Sequence, residues 1–290
     1  RGCANLTPGN VERVPALGGV QLEGDSTLLK DPASEGVGSG EVDAIDGFGG
    51  ELDACPIAAI SVAEGDEVVP GTVLHLSGAG STATNGDVVV WEWQVEQPGG
   101  SVATFSPSPY VESPTFEVGV VGPHVFRLGV RDTLGIESCV VAEYTVLVVA
   151  RAGVHLELTW RTPGDRDETD TGGDQIHFSA GSDLDLLLDA PPGSEPRDRD
   201  DTDGGGPESI TFEPAPGTFD VLVHDVNDWG YGPSFATLRV YIEGVLRDEW
   251  ADVELEHHDL WRAYTIVWPA GTVTRVGDDP AITHDVAPGF

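Results

Sequence analysis

This sequence predicts an all-β protein of two consecutive β-sandwiches, on three observations. Apolar and polar residues alternate with a period of two along short runs, as in Val154, Leu156, Leu158 and Trp160 against His155, Glu157, Thr159 and Arg161. Glycine and proline, 38 and 21 of 290 residues, punctuate those runs at turn-like intervals. No apolar stripe with a 3.6-residue period runs for a helical length. The chain is about twice the usual domain size, so two units are expected.

Net charge narrows the function classes. With 14 Lys and Arg against 50 Asp and Glu the formal charge is −36, so a phosphate backbone would be repelled and nucleic-acid binding through a basic footprint is excluded. An anionic membrane face is excluded on the same ground. The longest apolar run, 144–150, falls far short of the ~18 residues that span a bilayer. Lys30 is the only lysine, and such an acidic surface keeps a protein hydrated in salty media.

Residues 1–54 are polar, acidic and rich in Gly and Pro, with few aromatics, and read as a flexible stalk with one strand near 19–22. Residues 55–150 change character. Val89, Trp91, Trp93 and Val95 share one strand face, and Val88, Val90, Glu92, Gln94 and Glu96 the other. Leu74 and Leu76 alternate with His75 and Ser77, and Phe126, Leu128 and Val130 with Val125, Arg127 and Arg131. Trp91, Trp93 and Trp160 are expected in cores.

The pieces Leu76-Ser77-Gly78-Ala79-Gly80-Ser81, Val90-Trp91-Glu92-Trp93, Pro114-Thr115-Phe116 and Val125-Phe126-Arg127-Leu128-Gly129-Val130-Arg131-Asp132-Thr133-Leu134-Gly135 resemble a polycystic-kidney-disease (PKD) domain. The resemblance implies an immunoglobulin-like sandwich that acts as a spacer or interaction unit on a surface protein. Where the family carries Trp-Asp-Phe-Gly-Asp-Gly, this chain has Trp93-Gln94-Val95-Glu96-Gln97-Pro98-Gly99-Gly100.

Residues 151–276 read as a second, jelly-roll-like sandwich, with strands expected at 154–161, 183–189, 209–212, 218–226, 235–242 and 260–268, and 277–290 as a C-terminal tail. Leu158-Thr159-Trp160, Gly181-Ser182-Asp183-Leu184-Asp185-Leu186, Asp200-Asp201-Thr202-Asp203-Gly204-Gly205-Gly206-Pro207-Glu208 and Trp229-Gly230-Tyr231-Gly232-Pro233-Ser234-Phe235-Ala236 together resemble a secreted bacterial domain of the YfaP-like type. That resemblance implies architecture and a secreted context, and no reaction. The link Asp189-Ala190-Pro191-Pro192-Gly193 is shorter than the family's usual insert.

Segment 165–208 holds 14 acidic residues in 44 positions, nearly double the density of the whole chain. Interleaving with Gly and Thr lets carboxylates converge from a turning loop, as a hard cation with six to eight oxygen ligands requires, and Ca²⁺ is the expected extracellular one. The candidate ligands are Asp165, Asp167, Asp170, Asp183, Asp185, Asp198, Asp200, Asp201, Asp203 and Glu208. Asp183 and Asp185 share one strand face. No EF-hand fits: Gly204 in the glycine position puts Arg199 at the first ligand position. The plain alternative is a solvated acidic surface. Asp225, Asn227 and Asp228 form a second oxygen-rich turn before Trp229 and Tyr231, either a sugar-stacking site or aromatics packed over a tight turn.

Cys55 precedes the first strand-like run of the first unit and Cys139 opens the last, and first and last strands of a sandwich are often neighbours, so a bridge is expected, two buried thiols being the alternative. A bridge implies an oxidising compartment. Cys3 is left odd: it follows Gly2 as a lipid-modified cysteine would, but Arg1 departs from the residues that usually precede one. His-Glu-x-x-His, Gly-x-Ser-x-Gly and phosphate-loop patterns are missing, so no catalytic residue is assigned. The expected function is a non-catalytic secreted or cell-surface binding or adhesion protein with calcium-ordered acidic loops. Its partner is a surface protein or a glycan. The alternatives are a structural subunit of an extracellular assembly, self-associating through residues 1–54, and a carbohydrate-binding module.

Overall fold

The computed structural model describes residues 55–84, 86–151, 153–165, 181–191, 197–199 and 206–286, with 197–199 as backbone. Among the described residues every regular element is a strand, as expected. The stalk 1–54, Cys3 included, lies outside the described residues.

The first unit has two sheets. One is β1 (Ser61–Val62), β3 (Thr72–Ser77) and β5 (Thr115–Val118), in that order. The other runs β2 (Glu67–Val68), β7 (Ala142–Val148), β6 (Gly122–Asp132) and β4 (Val88–Glu96), with β2 parallel to β7 and the rest antiparallel. Leu74, Leu76, Phe126, Leu128 and Val130 turn inward as their alternation predicts, around Trp93, Phe105 and Phe116. Asp132, at the end of β6, is buried and accepts the backbone N–H groups of Leu134 and Ile136 through Oδ1, closing the turn that follows. The expected face of β4 needs one correction. The register shifts between Val88 and Val90, so Val88 packs against the core and Val89 is exposed. A bulge places one extra residue in the strand and reverses the parity before it.

A disulfide joins Cys55 and Cys139 with Cα atoms 5.7 Å apart, across 84 residues of sequence.

The second unit also has two sheets. One is β11 (Glu208–Phe212), β8 (Val154–Arg161), β13 (Ser234–Ile242) and β14 (Val245–Leu255). The other is β10 (Arg197–Arg199), β9 (Asp183–Asp189), β12 (Gly217–Asn227), β15 (Leu260–Trp268) and β16 (Thr272–Arg275), with β17 (Ala281–Thr283) also on β15. Leu156, Leu158, Leu184, Leu186, Val221, Val223, Leu238, Trp261 and Ile266 fill the space between them. The tail expected at 277–290 is corrected in part: β17 pairs Leu260 with Thr283, and the Val286 N–H donates to the His258 carbonyl at 2.9 Å.

β8 departs from its sequence pattern. His155, Glu157 and Thr159, on the face that alternation assigns to water, are buried. The first sandwich covers part of this face: the Val121 N–H donates to Glu157 Oε2 at 2.7 Å, and Gly100 sits so close to Thr159 that a Cβ would meet its Oγ1 at 2.6 Å. Glu157 Oε1 accepts from Arg239 Nη1 at 2.9 Å, and Arg239 also holds Glu249 at 2.6 Å. A buried carboxylate thus bonds a cation in its own sheet and a backbone N–H of the other sandwich.

His124, buried on β6 edge-on to Phe116, is a second polar group near this junction. Burial pushes its pKa below the ordinary value, against smaller opposing effects of the Gly122 carbonyl and Glu157. The unfolded chain therefore takes a proton near pH 6.5 that the folded chain refuses, so stability is lost as pH falls through that value. Melting curves from pH 7.5 down to 5.5 are expected to fall, and less steeply in His124→Leu; parallel slopes would contradict this.

Candidate functional site

One end of the second sandwich gathers the oxygen-rich loops. β8 enters at the opposite end, from the linker at Ala150, and runs its eight residues, roughly 25 Å at about 3.3 Å each, to the turn Thr162–Asp165. That turn meets the β12–β13 loop: Thr162 Oγ1 and Ser234 Oγ are 2.7 Å apart. Gly164 lies against the Tyr231 carbonyl, where a Cβ would approach the oxygen to 1.9 Å, so only glycine fits. Trp160 Nε1 donates to the Ser182 carbonyl at 3.0 Å, fixing the entry to β9. Gly206, at φ +71°, packs on the Trp160 ring.

The β12–β13 loop is a pair of side-chain-capped turns. Asn227 Oδ1 accepts from the Trp229 N–H at 3.0 Å, and Asp228 Oδ1 from the Gly230 N–H at 2.9 Å. Trp229 adopts φ +48° and is 39% exposed, while Tyr231 is half-buried. Trp229 thus presents surface, and Tyr231 is partly covered.

Asp225 occupies a different environment from its loop neighbours. Along β12, Phe219, Val221, Val223 and Asp225 share the inward parity, and Asp225 pairs with Leu184 as Val223 pairs with Leu186. Its backbone is held on the other side as well: its N–H donates to the Asp259 carbonyl and its carbonyl accepts from the His258 N–H, both at 2.9 Å. The side chain is fully buried, and neither carboxylate oxygen has a hydrogen-bond partner among the described residues. Burial, then the charges of Asp228, Asp259 and Asp183, push its pKa up to about 8.

The groups around it are mostly committed. Asp259 accepts from the Glu256 N–H through Oδ2 at 2.9 Å and pairs with His284 Nδ1 through Oδ1 at 2.6 Å, which raises the pKa of His284. His257 Nδ1 accepts from the Asp228 N–H at 3.4 Å, and the His257 ring stacks on His258 with centroids 3.7 Å apart. His224 Nε2 meets the Val286 carbonyl at 3.1 Å, and burial lowers its pKa.

The expected calcium ligands are distributed unevenly. Asp183 and Asp185 share the outer face of β9, opposite Leu184 and Leu186, as predicted. Asp165 is buried in its turn. Glu208 lies on the core side of β11 with Ile210 and Phe212, and accepts the Leu186 N–H of the opposite sheet, so it ties the two sheets together. Asp167, Asp170, Asp200, Asp201 and Asp203 lie outside the described residues, as does the side chain of Asp198. No three of the described His, Cys, Asp and Glu side chains stand close enough to hold a metal ion as they are. Asp225, assigned from sequence only as a loop oxygen, is the residue whose part the sequence reading missed; its signal is a carboxylate continuing the inward parity of a strand.

A groove of about 340 Å³ between the sandwiches, beside Gly100, Arg161 and Phe235, has its charges paired: Arg161 with Asp252, and Arg239 with Glu157 and Glu249. It belongs to the junction. Among the described residues no helix is long and apolar enough to cross a membrane.

No family model matches the chain, and no curated protein matches it. Among solved structures, the PKD1 domain of Vibrio anguillarum Epp is similar at 17% identity, over 33% of this chain and 98% of that one, with a TM-score of 0.24. The PKD domain from KIAA 1837 protein is similar at 21% identity, over 30% and 83%, with a TM-score of 0.25. A structure titled for carbohydrate-binding modules of the β-sandwich super family is similar at 12% identity, over 68% and 99%, with a TM-score of 0.27. The class defined by the strands themselves is an all-β protein of two joined β-sandwiches.

Proposed function

We propose that the chain is a secreted or cell-surface, non-catalytic binding protein. In this reading residues 55–150 form a PKD-like spacer, and the following YfaP-like sandwich binds its partner through its loop-lined end, with calcium ordering the acidic loops. The Cys55–Cys139 disulfide supports an oxidising compartment. The observation that carries the reading is Trp229, exposed on a doubly capped turn beside Asp228 at the end opposite the linker. An exposed indole beside a single carboxylate, Asp228, matches the chemistry of a sugar ring, whose C–H face stacks while a hydroxyl donates. The proposed partner class is therefore a surface glycan.

A glycan array probed with the full chain tests this. Wild type is expected to give a defined set of signals that Trp229→Ala abolishes while its melting temperature stays close to that of wild type. Signals that survive the substitution, or an array blank for wild type, would overturn the glycan reading.

A further inference from the structure

We infer that the groove between the two sandwiches is a second contact surface for a neutral glycan chain, with the Arg161–Asp252 pair as its hydrogen-bonding wall and Phe235 beneath the guanidinium. The inference takes its partner class from the glycan reading and adds a binding surface apart from Trp229.

Three observations meet there. The first is the groove itself. Gly99 and Gly100 of the first sandwich line one side, and Arg161, Phe235, Thr237 and Asp252 of the second line the other. Its volume of about 340 Å³ lies within the range of small-ligand pockets, about 300–1,000 Å³, which favour domain interfaces. The second is a bulge in β14. Ala236 pairs with Val253 but Leu238 pairs with Trp250, so Thr237 faces both Ala251 and Asp252. Asp252 takes a left-handed φ of +55°, and its N–H donates to Thr237 Oγ1 at 3.3 Å. A non-glycine residue in that conformation stores strain, and a bulge re-aims a side chain. Here the carboxylate is turned to the groove, where Oδ1 accepts from Arg161 Nη2 at 3.2 Å. The third is the seat of Arg161. Its register partner is Phe235, and its guanidinium carbon lies 4.3 Å from the centre of that ring.

The charges select an uncharged ligand. Arg161 is paired with Asp252, and Arg239 with Glu157 and Glu249, so every charged side chain lining the groove already has its counter-charge. Nothing in the lining draws an ion, and a chain of net charge −36 repels an acidic polymer. What the pair offers instead is a donor and an acceptor side by side. The guanidinium carries several N–H donors and spends one on Asp252. A sugar hydroxyl, donor and acceptor at once, bonds both groups. The Arg161 and Asp252 side chains are 51% and 70% exposed, so they meet a ligand without uncovering a buried charge. Arg161 and Phe235 also stand one residue from Thr162 and Ser234, whose hydroxyls join the turn after β8 to the Trp229 loop, so the groove borders the loop-lined end.

Calorimetric titration of the full chain with cellohexaose, xylohexaose, laminarihexaose and mannohexaose tests this, with Asp252→Gly, Arg161→Ala and Trp229→Ala alongside and the acidic hexagalacturonate as contrast. Asp252→Gly is the most informative variant. Glycine adopts the left-handed φ freely and an exposed ion pair adds little stability, so its melting is expected to match that of wild type. A hydrogen bond to a charged group is worth about tenfold in affinity or more. Wild type is therefore expected to bind a neutral hexasaccharide, and Asp252→Gly and Arg161→Ala each to weaken that binding about tenfold. Wild-type affinity in both groove variants, with binding lost in Trp229→Ala, would overturn the groove and leave the Trp229 reading standing. Weakening in the groove variants with none in Trp229→Ala would overturn the Trp229 contact and leave the groove. No heat from any neutral hexasaccharide would overturn both, and a preference for hexagalacturonate would overturn the neutral class.

Discussion

Replacing Cys55 and Cys139 together by serine is expected to lower stability by about 4.5 kcal/mol in the loop-entropy account of a disulfide. The bridge closes 84 residues, which include six of the seven strands of the first sandwich. Opening it releases to the unfolded chain almost the whole freedom of that unit, while the folded contacts of Trp93, Phe105, Phe116 and Phe126 stay in place. At a few degrees per kcal/mol, the first sandwich should melt roughly 10 °C or more earlier. Calorimetry of the double variant, or of wild type under reductant, checks this; a transition that stays within about 2 °C would mean that the bridge constrains little.

Glu157→Ala is the second large effect, expected to cost about 3 kcal/mol or more. The side chain is fully buried and joins two partners, Arg239 Nη1 at 2.9 Å and the Val121 N–H at 2.7 Å, with His155 Nε2 3.9 Å away. Truncation leaves the Val121 N–H without its acceptor, and leaves Arg239, with only 18% of its side chain exposed, to Glu249 alone. Both are costs of unpaired polar groups rather than of lost apolar contact. Because Val121 belongs to the first sandwich and Glu157 to the second, the loss also loosens the joint. Wild type is expected to hold one interdomain geometry in small-angle scattering, and Glu157→Ala to broaden it. Unchanged melting and unchanged scattering in the variant would show that the contact neither stabilises nor fixes the junction.

Much of this was legible in the sequence. β9 and β15 keep their expected limits, and β11, β12 and β13 differ from theirs by one residue at one or both ends, because each is an apolar-rich run bounded by Gly, Pro or acidic residues. β14 was missed. Its run Val245–Leu255 is charged on the exposed face, and its register against β13 slips twice, so no continuous alternation marks it. Val89 was misplaced because a single bulge residue changes parity without changing composition. β8 shows the opposite limit: its pattern predicts one wet face correctly for an isolated sandwich, and only the neighbouring sandwich buries Glu157 and Thr159. The candidate site divides the same way. Acidic density directed attention to 165–208, but burial, which density cannot report, singles out Asp225 and turns Glu208 to the core side.

Diffraction from crystals of the full chain grown with calcium would decide whether the loop-lined end is a cation-ordered surface. A calcium peak about 2.3–2.6 Å from carboxylate oxygens at that end is the expected outcome. No peak at that end, in crystals grown with calcium, would contradict the assignment.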